Sequence, residues 1–168
     1  MKAELFSSDF IISILLFFTA ITIITVYYQN LQSDVYEANT RNDMYSKAIN
    51  IASLLAESGG YPHFWNSSNV KVIGLYDSGK FNLTKFEELK NMNYQTVKSM
   101  LGTGPYNVFI SLKNVTGDII EKPSMPSYNY SYGLNIDSAE NVVLVKRLGI
   151  VNLEGNTTKV TMEVVLWV

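Results

Sequence analysis

Between Phe10 and Ser33 the chain carries no charged residue, and from Phe10 to Tyr28 it is apolar apart from Ser13, Thr19, Thr22 and Thr25. No other feature limits the fold as much. A helix of about 20 such residues is about 30 Å long, the thickness of a bilayer's hydrocarbon core. The four hydroxyls do not prevent a span, because each can bond to a backbone carbonyl one turn back. Tyr27 and Tyr28 close the run, where amphipathic rings suit a water interface. A secretory signal peptide would have a shorter apolar core and a small-x-small cleavage site after it. The segment "VYYQNLQSD" offers no such site, so the run is expected to stay on the protein.

The helix is predicted to continue. Leu31, Val35, Ala38, Asn42, Tyr45, Ile49, Ala52 and Ala56 recur at steps of three and four, which places them on one helix face. No Pro or Gly interrupts the chain between Asp9 and Gly59, and "ESGGYPHFW" then supplies Gly59, Gly60 and Pro62 as a stop. One helix is therefore expected from about residue 6 to residue 58, on the order of 75 Å long. Residues 5–28 form its hydrophobic half and 29–58 its amphipathic half. The apolar half is expected to find its partner in lipid or in the same half of other copies.

From residue 61 the pattern changes to period two. In "YNVFISLK", Tyr106, Val108, Ile110 and Leu112 alternate with polar positions. In "KVTMEVVLWV", Val160, Met162, Val164, Leu166 and Val168 share one face, with Thr161 and Glu163 opposite. "NVVLVKRLGIVNL" reaches that strand through Glu154-Gly155-Asn156, a hairpin signal. "NVKVIGLYD" reads as a first strand, and "NLTKFEELKNMNYQTVKSMLG" as one or two short helices. Their inner stripe is Phe86, Leu89, Tyr94, Val97 and Leu101, closed by Gly102. Residues 114–141, rich in Pro, Ser, Asn and Tyr, read as an exposed loop whose Tyr cluster is free to contact neighbours. The expected fold is α+β: a long N-terminal helix, hydrophobic then amphipathic, packed on an antiparallel sheet head at 61–168.

Little in the composition suggests catalysis. The chain has 168 residues, no Cys, a single His and a net charge of −2. Thiolate sites are excluded, and a histidine-rich metal centre or a conventional Ser-His-Asp triad has too few histidines. The charge gives no electrostatic case for nucleic acid. His63 in "GGYPHFW" reads as a packing or surface residue. Adjacent Glu87 and Glu88 would point about 100° apart on a helix and read as a solvated face. "GTGP" lacks the Lys and spacing of a phosphate loop. No enzyme, cofactor or metal is expected.

One stretch, "LFSSDF" at residues 5–10, has its own resemblance. Followed by the apolar helix, it is similar to the processing region of archaeal type IV pilins, which carry a class III signal peptide. That family's pattern is close to Gln-x-Ser-x-Glu-Phe. Ser7 matches the Ser, Asp9 the Glu and Phe10 the Phe, while Leu5 stands in place of the Gln. The resemblance implies a leader of residues 1–4, cut by a membrane aspartyl peptidase between Glu4 and Leu5. A cut after Ala3 would look more typical of the leader but would shift Asp9 by one. The resemblance also implies that the new α-amino group, with a pKa near 8, is neutralised by the Asp9 carboxylate of a neighbouring copy. Asp9 would in any case sit well against the positive end of the helix dipole. The implied partners are further copies of the chain, the membrane before assembly, the prepilin peptidase and the assembly machinery. The implied place is the cell membrane and then an extracellular filament for adhesion. The alternative is an uncleaved single-pass anchor with an extracellular binding head.

Asn66, Asn82, Asn114, Asn129 and Asn156 each begin an Asn-x-Ser/Thr sequon, and all lie beyond the helix. They are candidate N-glycosylation sites in an extracellular head. Asn129 and Asn156 are the best placed, while Asn82 has a competing role as a helix N-cap.

Overall fold

The computed structural model describes residues 8–136, 139 and 141–168. It is an α+β chain with one 50-residue helix, α1 (Ser8–Glu57), followed by a mixed sheet and two short helices. The chain divides into two units at residue 40.

The first unit, to Thr40, is a single helix among the described residues. It contains nothing for its side chains to pack on, and Leu16 and Ile24 are each 66% exposed. The hydroxyls of Ser13, Thr19, Thr22 and Thr25 donate to the carbonyls of Asp9, Leu15, Phe18 and Ile21, each four residues back, at 2.7–2.8 Å. That is the arrangement that lets them enter an apolar medium without an orphaned donor.

The second unit, from Arg41, is the head. The strands are β1 (Tyr76–Asp77), β2 (Lys80–Phe81), β3 (Asn107–Lys113), β4 (Glu121–Lys122), β5 (Met125–Asn129), β6 (Ser131–Gly133), β7 (Val142–Leu153) and β8 (Asn156–Trp167). Six of them form one sheet in the order β1-β2-β7-β8-β3-β6, and β4 pairs with β5 separately. All pairings are antiparallel except β2 with β7, which meet in parallel at Phe81 and Val151. The β7–β8 hairpin turns on Glu154 (φ 49°) and Gly155 (φ 95°), both in the left-handed region that a two-residue turn of this kind needs. Glu154 holds that backbone without the freedom of glycine. Its carboxylate accepts from the Ser124 amide at 2.9 Å, tying the turn to the β4–β5 connection.

Helices α2 (Leu83–Lys90) and α3 (Tyr94–Leu101) begin at Asn82 and Asn93, whose side chains accept from amides of the first turn. Gly102 (φ 67°) ends α3. Phe86, Leu89, Val97 and Leu101 are buried as the stripe predicts, with Tyr94 at the margin. Tyr106, Val108, Ile110, Leu112, Val160, Met162, Val164 and Leu166 line the core as the alternation predicts, whereas Val168 is 59% exposed.

Four expectations need correction. The helix face that enters the core is Met44, Ala48, Ile51, Ala52 and Leu55, one position off the predicted stripe, and Tyr45 is 54% exposed. The segment 69–77 is strand only at Tyr76–Asp77, with one bridge at Val72. Its amides are used elsewhere: Leu75 donates to Leu55 O and Tyr76 to Ser58 O, both at 3.0 Å, satisfying carbonyls at the end of α1. Gly74 makes the approach possible, since a Cβ there would lie 2.3 Å from Ser58 O. The loop at 114–141 contains β4, β5 and β6, and Tyr130 and Tyr132 are buried rather than free. Finally, Glu163 faces away from the core as expected but is buried there.

Lys113 and Lys146 reach Glu163 from the flanking strands, each at 2.8 Å, on a face where Ser111, Val165 and Trp167 are buried as well. Burial pushes the Glu163 carboxyl up, but the two lysine bonds more than reverse this and hold it below its ordinary value. A carboxyl depressed in the folded state contributes stability above its unfolded pKa of about 4.3, and that contribution fades as pH falls through the folded value. Glu163→Gln is therefore expected to cost about 1.5–3 kcal/mol at pH 7. It should also flatten the loss of stability below pH about 4, read by denaturant melts at several pH values.

Candidate functional site

Asp9 lies in the first turn of α1, and its own carbonyl accepts from Ser13. Both Asp9 and Phe10 are exposed. Anionic side chains in a first turn are favoured by the helix dipole by about 0.3–1 kcal/mol. Glu4 and Leu5, which the resemblance places on either side of the cut, lie outside the described residues. Among the described residues α1 is the one helix long and apolar enough to cross a membrane. Its apolar stretch begins one residue after the carboxylate and runs uncharged to Ser33.

The end of α1 inside the head is held by side chains from later in the chain. Lys85, only 5% exposed, donates to the Gly59 carbonyl at 2.7 Å, and the Trp65 indole donates to Gly59 O and Gly74 O at 3.1 and 3.0 Å. A cation at a helix C-terminus complements the dipole. Tyr106 donates to Asp43 at 2.7 Å, and Arg147 donates to Ser53 at 3.1 Å. The helix from Arg41 is thus part of the head's core.

The five sequons differ in what their amides do. A glycan attaches through Nδ2, so that atom must be accessible. Asn82 Nδ2 donates to Asp77 at 3.2 Å while its Oδ1 caps α2, and the residue is half-buried. Asn114 Oδ1 organises the 114–118 turn by accepting from the Thr116 and Asp118 amides, and its Nδ2 faces Asp118. Asn129 is exposed, with its Oδ1 accepting from Lys90 and Ser131. Asn66 is exposed and shapes its own turn through Oδ1. Asn156 is exposed beside the hairpin tip, and no hydrogen bond holds its side chain among the described residues. Glycopeptide mass spectrometry of protein from its native host is expected to find sugar at Asn156 and none at Asn82 or Asn114. Asn156→Gln should lower the mass by one glycan without lowering stability, whereas Asn82→Ala should cost about 1 kcal/mol through the lost cap.

The other singled-out residues do not converge. His63 is exposed and packs edge-on against Phe64 at 4.7 Å between centroids. Glu87 and Glu88 are partly exposed, and each also holds a different segment. Glu87 pairs with Lys122 at 2.9 Å and accepts from Tyr130 at 3.1 Å, and Glu88 accepts from the Ser67 amide at 2.8 Å. The Tyr130 hydroxyl is pushed far above its ordinary value by burial and by Glu87. Among the described residues no group of three His, Cys, Asp or Glu side chains is placed to hold a metal ion.

No protein-family model matches the chain, and no characterised protein or solved structure matches it either.

Proposed function

We propose that this chain is a structural subunit of an archaeal type IV pilus-like surface filament that serves adhesion. The observation carrying the reading is one unbroken helix with two kinds of surface. Its N-terminal part bears a single carboxylate at the mouth of an uncharged stretch and has nothing in its own unit to pack on. Its C-terminal part is a core element of an α+β head. Burying one large aliphatic or aromatic side chain is worth about 1.5–3 kcal/mol, so a run containing Phe10, Ile14, Leu15, Phe17, Phe18 and Ile21 demands an apolar medium. Lipid supplies it before assembly, and the same stretch of neighbouring copies supplies it in the filament. In this reading the leader 1–4 is removed by a prepilin peptidase, assembly machinery extracts the subunit, and sugars at exposed sequons face solvent.

A second reading, an uncleaved single-pass anchor with an extracellular binding head, is favoured by Glu4, since the resemblance to archaeal type IV pilins implies Gly or Ala just before the cut and this chain has a Glu there. Two measurements separate them. Electron microscopy of surface filaments, with peptide identification of their subunits, is expected to find this chain, and mass spectrometry is expected to give a mature N-terminus at Leu5. An intact Met1-Lys2-Ala3-Glu4 on a protein recovered only from membranes would favour the anchor.

A further inference from the structure

We infer that the head's sheet continues from one copy to the next, with the open edge of β7 receiving the β6 edge of a second copy in antiparallel pairing. The β7 edge comes first. Leu153 and Asn156 flank a two-residue turn and so form a hydrogen-bonded pair. The same phase is seen at the far end, where Val168 N donates to Asn141 O. By alternation Val143, Val145, Arg147 and Gly149 direct their backbone groups to β8, and Val142, Leu144, Lys146 and Leu148 direct theirs outward. Beyond β7, strand β2 pairs only at Val151. Among the described residues no backbone bond to another strand or loop uses the outward groups at 142–148.

This edge also lacks the usual protection. Exposed sheet edges are normally blunted by charge, proline or short length. Here the strand has 12 residues, no proline, and Val142, Leu144 and Leu148 exposed by 48, 45 and 86%. The one outward-directed charge, Lys146, is drawn across the sheet to Glu163.

The opposite edge has the complementary form. Leu112 N donates to Tyr130 O, so Tyr132 is the next hydrogen-bonded partner of β3, and Ser131 and Gly133 turn their backbone groups away from it. The continuation carries Leu134 and Ile136, 49 and 37% exposed. A groove of about 290 Å³ beside β6 is lined by Met92 and Tyr94.

Strand polarity and charge select β6 as the occupant. From β7 through β8 and β3 to β6 each neighbour is antiparallel, so β6 runs opposite to β7. A copy placed by translation across the sheet therefore meets the first in antiparallel pairing, with every axis kept in the same direction. Copies inserted in one membrane need that. Pairing two β7 edges would instead bring Lys146 and Arg147 close to the same residues of the other copy, and the antiparallel form would reverse the second chain. Ser131 and Gly133 offer no charge against Lys146. The contact is head-to-tail, so it repeats, at about 19 Å per copy for four strands at their ordinary spacing.

The inference stands apart from the filament reading, since a membrane-anchored array would use the same contact. The test uses the full chain co-reconstituted in lipid vesicles, where the absence of native Cys gives a clean background. Ser131→Cys protein is mixed with Leu144→Cys or Leu148→Cys protein under mild oxidation. Disulfide-linked pairs are expected in a mixture and not from any variant alone. Adding Leu144→Pro to the Leu148→Cys chain removes an outward N–H and should abolish the link, and thermal melts verify that the head stays folded. If that variant unfolds, the head-to-tail pairing is judged on the mixtures alone. Links from a single β7 variant would mean self-pairing, and no links in any mixture would mean a free edge. Either result overturns the proposal without bearing on whether the leader is cleaved or filaments form.

Discussion

Phe86→Ala is expected to remove about 3–5 kcal/mol from the stability of the head, out of the 5–15 kcal/mol ordinary for a domain. Phe86 is fully buried, and its ring meets Tyr130 edge-on at 5.9 Å between centroids. Truncation would leave a void between α2 and the strands, because the surrounding side chains are themselves held. Tyr130 donates to Glu87, Glu87 pairs with Lys122, and the Asn82 cap fixes the start of α2. A site pinned in this way collapses little, which places the expected loss toward the upper end of the range. Trp65 and Trp167 are both buried and report head unfolding by fluorescence, so denaturant melts of the full chain in detergent read the effect directly. Phe64→Ala is the control. Phe64 is 83% exposed, and its removal should fall within about 0.5 kcal/mol of the parent. A loss below about 1 kcal/mol for Phe86→Ala would mean that α2 is not packed as described.

Much of this head is legible in its sequence, and what is not has physical causes. The core face of β3, β7 and β8 is marked by apolar residues at every second position, although Val165 and Trp167 on the other face of β8 are apolar and buried too, and the paired turn residues Glu154 and Gly155 mark the hairpin. The capping asparagines and Gly102 likewise sit at the ends of α2 and α3. The phase of α1 was harder to read because Met44 to Ala56 is apolar on more than one side. Tyr45 and Ile49 suggest one stripe, Met44, Ala48 and Ile51 the true one, and Ala52 belongs to both. The segment 69–77 has strand-like residues, yet its amides bond to the end of a helix, a long-range use that no local pattern reports. In 114–141, Tyr128, Tyr130 and Tyr132 do alternate, but Pro, Ser and Asn around them hide the period. Glu163 stands on the face that the alternation predicts. Its partners Lys113 and Lys146 arrive from two other strands and are invisible to a single-strand reading.

Asp9→Asn is expected to insert in the membrane normally and to be absent from filaments. The substitution changes neither the length nor the apolar character of the helix, and it removes at most about 1 kcal/mol of dipole complementarity in the first turn. In the assembly reading its larger effect falls on the neighbouring copy. A freed α-amino group left without its carboxylate at membrane depth carries a penalty of about 2.5–3.5 kcal/mol. That corresponds to roughly a hundredfold weaker contact for each subunit added. Because every addition meets the same penalty, filament number and length should fall together. Asp9→Glu keeps the charge with one more methylene of reach and should assemble. The measurement is a count of filaments by electron microscopy beside the amount of inserted protein in the membrane fraction. Equal insertion with lost filaments isolates the charge, while filaments of normal number and length from Asp9→Asn would leave the carboxylate with its dipole role alone.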